Sequence, residues 1–94
     1  MKFAFLIMGD FSCEIDHAEI HQGTAQIIGV ANMEEAVNMA RQLQKAGIDC
    51  IELCGAFGEE GARKIIEATE NKLPVGYVTH LYEQEEIYRA VFSK

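Results

Sequence analysis

A single proline, Pro74, interrupts the ninety-four residues, and Lys and Arg number only 8 against 15 Asp and Glu. The scarcity of proline, together with 49% hydrophobic and 24% charged residues, excludes the composition of disordered chains. The scarcity of cations leaves a net charge of -7 with one adjacent basic pair, Arg63 and Lys64. Such a surface repels a phosphate backbone, so nucleic acid and anionic membrane are excluded as partners. Long apolar runs are lacking too. Phe3 to Met8 is cut off by Gly9 and Asp10, which is too short for a signal peptide or a membrane span. Three cysteines cannot all pair within one chain. Cys50 and Cys54 lie in a strand-like stretch with their Cα atoms about 13 Å apart, too far for a disulfide or a shared metal. Reduced thiols in a cytoplasm are the expectation.

The length suits one domain, residues 1–94, with a folded surface of roughly 5,400 Å² by the area scaling of monomers. Phe3 to Met8 reads as a strand buried on both faces. Asp10 to Gly23 is polar and reads as a long loop. Thr24 to Val30 is a second strand, after which Asn32 and Glu35 form a capping box. The helix that follows carries Met33, Ala36, Val37, Ala40 and Leu43 on one stripe and ends at Gly47. Ile48 to Cys54 is a third strand. A glycine turn leads to a second helix with Ala62, Ile65, Ile66 and Thr69 on one stripe, ended by Asn71 to Pro74. Pro74 to Thr79 is a fourth strand, and a last helix spans about Tyr82 to Phe92.

The order strand, loop, strand, helix, strand, helix, strand, helix predicts an α/β domain of about four mainly parallel strands and three helices, half-barrel-like or flavodoxin-like. If the last three strands neighbour one another in chain order, same-handed crossovers put both connecting helices on one face. Alternation then points Ile51 and Leu53 to the helices and Cys50, Glu52 and Cys54 to the uncovered face. Parity groups Gln26 and Tyr77 with Glu52 there. Only the last helix or a second subunit is left to cover that face, so a homo-oligomer, dimer or higher, is expected.

The stretch Gly47-Ile48-Asp49-Cys50-Ile51-Glu52-Leu53-Cys54-Gly55-Ala56-Phe57 holds the first candidate for chemistry. A mid-strand carboxylate is costly to bury unpaired, and perturbed carboxylates gather at functional sites. The pattern G-x-D-x-I-E-L-x-x-x-F resembles the second-strand motif of the tryptophan synthase alpha subunit, a TIM barrel whose glutamate in that phrase is acid and base; the resemblance implies that role for Glu52. Ala56 stands where that family has proline, and a full barrel needs about 250 residues. Across the whole chain, HAEIHQGTAQIIGV, GIDCIELCGAFGEEGA and VGYVTH resemble a family of small prokaryotic proteins classified as a domain of unknown function. That resemblance implies no activity.

Ligands of open parallel sheets bind beyond the carboxyl ends of the strands. Those ends offer Asp10, Asn32, Gly55 and His80, with Phe57 and Thr79 beside them. An acid with a histidine is the minimum for proton transfer near neutral pH, which makes Glu52, Asp10 and His80 the catalytic candidates. Gly55, Phe57 and Gly58 precede a helix whose free N–H groups favour an anion, but Glu59 and Glu60 in its first turn oppose one. The spacing is neither the dinucleotide fingerprint nor a P-loop, so the cofactor is left open. His17, Glu19 and His21 form H-x-E-x-H, a metal-ligand pattern if the segment is extended, with His80 and Asp10 as further donors. Two classes of function fit. One is a small-metabolite enzyme of lyase or isomerase type with Glu52 or Asp10 as base and His80 as acid. The other is a non-catalytic oligomeric module that holds a small ligand or metal, or a structural partner subunit.

Overall fold

A computed structural model describes residues 1–93. Five strands, β1 (Phe3–Met8), β2 (His17–Ile20), β3 (Ala25–Val30), β4 (Cys50–Leu53) and β5 (Val75–Tyr77), form one sheet in the order β2-β3-β1-β4-β5. β1 runs parallel to β3 and β4, β4 runs parallel to β5, and β2 is antiparallel to β3. Three helices follow the alternation: α1 (Met33–Lys45), α2 (Gly58–Ala68) and α3 (Glu85–Phe92).

The fifth strand is a correction to the expected long loop. Residues His17, Ala18, Glu19 and Ile20 alternate polar and apolar, the period of a strand with one wet face, and they pair with β3 through Ile20↔Ala25 to His17↔Ile28. The connecting turn is tight, with left-handed backbone at His21, Gln22 and Gly23 (φ 48°, 57° and 87°). Only glycine adopts that region without cost, so tertiary pairing overrides the local preference of His21 and Gln22. β1 also lies between β3 and β4, so the last three strands are not neighbours in chain order. The one-faced helix cover resembles a half-barrel, and the out-of-order strands resemble a flavodoxin-like sheet.

Both crossovers still step in one direction across the sheet, and their helices pack together on one face. Asn32 caps α1: its Oδ1 accepts from the Glu35 N–H at 2.9 Å, while Glu35 Oε1 accepts from the Ala31 N–H at 3.2 Å. The Asn32 cap is the expected one, whereas Glu35 reaches back to the N–H of Ala31, one residue before the cap, and not to that of Asn32 as in a strict capping box. Asn32→Ala removes an acceptor for a first-turn N–H, and a loss of about 1 kcal/mol is expected, measurable as a lower midpoint in urea at fixed protein concentration.

Beneath the helices the sheet presents Ala4 and Leu6 from β1, Ile28 and Val30 from β3, and Ile51 and Leu53 from β4. Ala36, Ala40 and Leu43 of α1 and Ala62 and Ile65 of α2 close over them. Thr69 ends α2 inside this layer, its hydroxyl donating to the Ile65 carbonyl at 2.9 Å. α3 stands apart, packing chiefly against its own lead-in turn at Tyr82–Gln84.

Candidate functional site

Neighbouring residues in a sheet point to the same side, so the register fixes the composition of the face without helices. Its central row is Ile27, Phe5, Glu52 and Gly76, one residue from each of β3, β1, β4 and β5. The row nearer the amino ends is Ala25, Phe3 and Cys50. β2 extends the face with Ala18 opposite Ile27 and Ile20 opposite Ala25. Phe11 lies across Gly29 at one end: a Cβ on Gly29 would stand 2.6 Å from Phe11 Cγ. The face is therefore apolar, with Glu52 as its one carboxylate on these central rows. Ile20 is 70% and Ile27 43% exposed.

The expected polar grouping of Gln26 and Tyr77 with Glu52 is corrected by the same register. Gln26 pairs with Ala4, and Tyr77 with Leu53, so both point to the helix side; Tyr77 packs against the core. Alternation within β3 and β5 groups Gln26 with Ile28 and Tyr77 with Val75 but does not say which face each group takes; the pairing with β1 and β4 does. A one-residue slip exchanges the two faces.

Glu52 is held locally. Its Oε2 lies over the Gly76 backbone, so that a Cβ there would stand 2.7 Å from it. The Cys50 thiol donates to Glu52 Oε1 at 3.5 Å. Burial and then the Glu52 carboxylate push the Cys50 thiol above its ordinary value of 9.0, which keeps it a donor and disfavours a thiolate. Cys54 Sγ accepts from the Met8 N–H at 3.3 Å, and Cys13, Cys50 and Cys54 are all unpaired.

The strand-end candidates sit elsewhere. Asp10 follows β1 and is exposed, whereas Glu52 lies opposite Phe5. The three-residue step from Phe5 to Met8 alone is about 10 Å, so Glu52 does not share hydrogen-bond reach with Asp10. Thr79 and His80 lie past β5, outside any strand or helix. His80 is engaged with α3: its Nε2 donates to Glu85 Oε2 at 2.6 Å, and its ring stacks on Tyr88 with centroids 3.9 Å apart. Asn32 is occupied by its cap. Phe57 is buried in the core beneath Gly61, whose Cβ would stand 3.0 Å from Phe57 Cβ. Gly55 and Gly58 form the turn into α2, where Glu59 binds Arg63 at 2.8 Å.

The H-x-E-x-H run is split by the β2–β3 turn: His17 and Glu19 share one side of β2, and His21 enters the left-handed turn. Among the described residues no three His, Cys, Asp or Glu side chains gather to hold a metal. A shallow polar cavity of about 260 Å³ lies at the amino ends of the strands, with Lys2, Glu19, Gln22 and Gln26 on its wall. A groove of about 180 Å³ lies on the open face, lined by Phe5, Ala18, Ile20, Ala25 and Ile27.

Sequence reasoning missed the apolar members of this face, Phe3, Phe5, Ile20 and Ile27. A continuous apolar run gives no parity of its own, so β1 read as buried on both sides. The polar-apolar alternation of residues 17–20 was the signal that could have extended the sheet and its open face.

The His80 contact sets a pH dependence. The hydrogen bond from His80 lowers the Glu85 carboxyl below its ordinary 4.5; burial is the next largest effect and opposes it, and the His80 charge and Arg89 add to the lowering. A carboxyl lowered in the folded state adds stability above its unfolded value and loses it as pH falls through the folded value. The root of α3 is therefore expected to loosen below about pH 4.5 and to be intact at neutral pH. Carbon-detected NMR titration should place the Glu85 midpoint below 4.5, and His80→Ala should raise it.

Fold and face together define the class: a small α/β domain with a mostly parallel sheet, two helices on one side and an open apolar surface on the other. Residues 1–93 match the model of a family of unknown function (DUF6506), and the chain belongs to that family. No curated protein and no solved structure matches it. No helix among the described residues is long and apolar enough to cross a membrane.

Proposed function

We propose that this chain is a subunit of a homo-oligomer, a binding or structural module whose working surface is the open face of the sheet. The observation that carries the reading is the apolar central row of Ile27 and Phe5, flanked by Ile20 and uncovered by any helix of the chain. Monomeric proteins rarely leave a contiguous apolar patch of that kind in water, and such patches mark association surfaces. A second copy is the partner of choice because the chain offers no cationic surface for nucleic acid or anionic membrane. The three unpaired thiols fit a reducing cytoplasm.

Cys50 reports on the face directly, since it lies in the row beside Phe3. Its alkylation, followed peptide by peptide, should slow as protein concentration rises, while that of Cys13 in the β1–β2 loop should not. Alkylation of Cys50 at one rate at every concentration contradicts the proposal.

A second reading is favoured by one observation, the Cys50 thiol donating to the Glu52 carboxylate inside an apolar surface. Closed by a partner, that pair becomes a desolvated acid–base group, the setting in which carboxylates perform proton transfer on small polar metabolites. In that enzyme, of lyase or isomerase type, Glu52 acts as base within the shared face, without Asp10, which is out of its reach, or His80, which is engaged with Glu85 and Tyr88. Native mass spectrometry of the purified oligomer should then show a co-purifying small molecule or metal that Glu52→Gln loses. Bare chain masses in both proteins count against this reading.

A further inference from the structure

The chain exposes 6562 Å², about 1,100 Å² more than a folded monomer of its mass is expected to expose. Its radius of gyration, 13.5 Å, likewise exceeds the roughly 12.4 Å of a compact domain of this length. The surplus is of the size that one partner buries in a standard interface, about 800 Å². Two surfaces of the chain each lack what the other has. The sheet has an apolar face and no helix on it, with a groove of about 180 Å³ between Phe5, Ile20 and Ile27. α3 is an amphipathic helix with no sheet under it: Ile87, Val91 and Phe92 are 58%, 53% and 77% exposed, and Ile87 and Val91 lie one turn apart on the same stripe.

A sheet face is ordinarily buried against a helix layer. The chain does not supply that layer to itself, because α3 is fixed at its root. The His80–Glu85 hydrogen bond and the stack of His80 on Tyr88, continued by Tyr88 on Phe92 at 5.6 Å, tie the helix to the segment that leads into it. The helix consequently stands off its own sheet with its apolar stripe outward.

Resting on the self-association reading above, we propose that the occupant of the open sheet face is the carboxyl-terminal arm of a second copy, residues Leu81 to Ser93, laid reciprocally across β1 and β3 of its partner. The exchange buries both apolar surfaces at once and is closed by two-fold symmetry, so it ends at a dimer. The acidic side chains of the arm, Glu83, Glu85 and Glu86, remain at its root and outer side, where Glu85 is already paired with His80 and Arg89.

The test uses the full chain with a photo-crosslinking benzoylphenylalanine in place of Phe92, prepared in light and heavy isotopes, mixed and re-equilibrated before irradiation. The expected products join the arm to peptides of Phe3–Met8 or Ala25–Val30 and pair light with heavy. In parallel, Ile87→Asp combined with Val91→Asp should weaken dimerisation at least a hundredfold while leaving the sheet intact by circular dichroism. Links confined to one isotope show the arm folding onto its own sheet and overturn the proposal, as do links between two arms. A dimeric mass with no arm-to-sheet link, or a double variant that dimerises as before, overturns the arm exchange alone. A single-chain mass for the unmodified protein overturns the self-association reading with it.

Discussion

Phe5→Glu is expected to weaken self-association at least a hundredfold while leaving the chain folded. Phe5 lies at the middle of the open face, in the row between Ile27 and Glu52. In the separated chain the replacement meets solvent, and its cost is that of two like charges facing each other across strands, about 0.2–1 kcal/mol. In the associated state the same carboxylate is buried against apolar surface beside Glu52, and a buried charge left unpaired costs several kcal/mol. The difference falls on association, and about 2.7 kcal/mol already amounts to a hundredfold in Kd. Sedimentation velocity over a concentration series should show the change, with far-UV circular dichroism as the control for folding. Phe5→Ala, which removes apolar area and adds no charge, should have the smaller effect.

Leu6→Ala is expected to do the reverse, damaging the fold and leaving the open face alone. Leu6 is wholly buried on the central strand, with Ile28 and Leu53 beside it under the helices. Truncation of such a leucine costs about 2–5 kcal/mol through lost transfer energy and the cavity left behind. A domain of this size has about 5–15 kcal/mol in all, so the substitution removes a large share. The urea midpoint should fall steeply, and the comparison must be made at one protein concentration because association adds to apparent stability. A drop below about 1 kcal/mol contradicts the packing described here.

Much of the fold was legible in the sequence because its signals are local. Asn32 and Glu35 announced α1 as a capping box, and Ile51 and Leu53 announced the buried side of β4. What the sequence did not reveal depends on pairing across the chain. β2 was hidden in a polar segment whose alternation gains meaning only beside β3, and the central place of β1 follows from contacts that no local pattern encodes. The same holds for the candidate site. Glu52 was identified from the cost of a mid-strand carboxylate, and it does lie on the open face. Its neighbours there are Phe5, Cys50 and Gly76, however, because register and not parity within one strand decides which residues share a surface. His80 was read from its position at a strand end, and its engagement with Glu85 and Tyr88 depends on where α3 comes to rest.

The surface without helices is the central feature, and the mass of the unmodified chain in solution tests its role most directly. Light scattering at micromolar concentration should give at least twice the chain mass of 10.5 kDa, falling toward one chain on dilution. A mass of 10.5 kDa at every concentration would mean that the open face stays in water, contrary to the role assigned to it here.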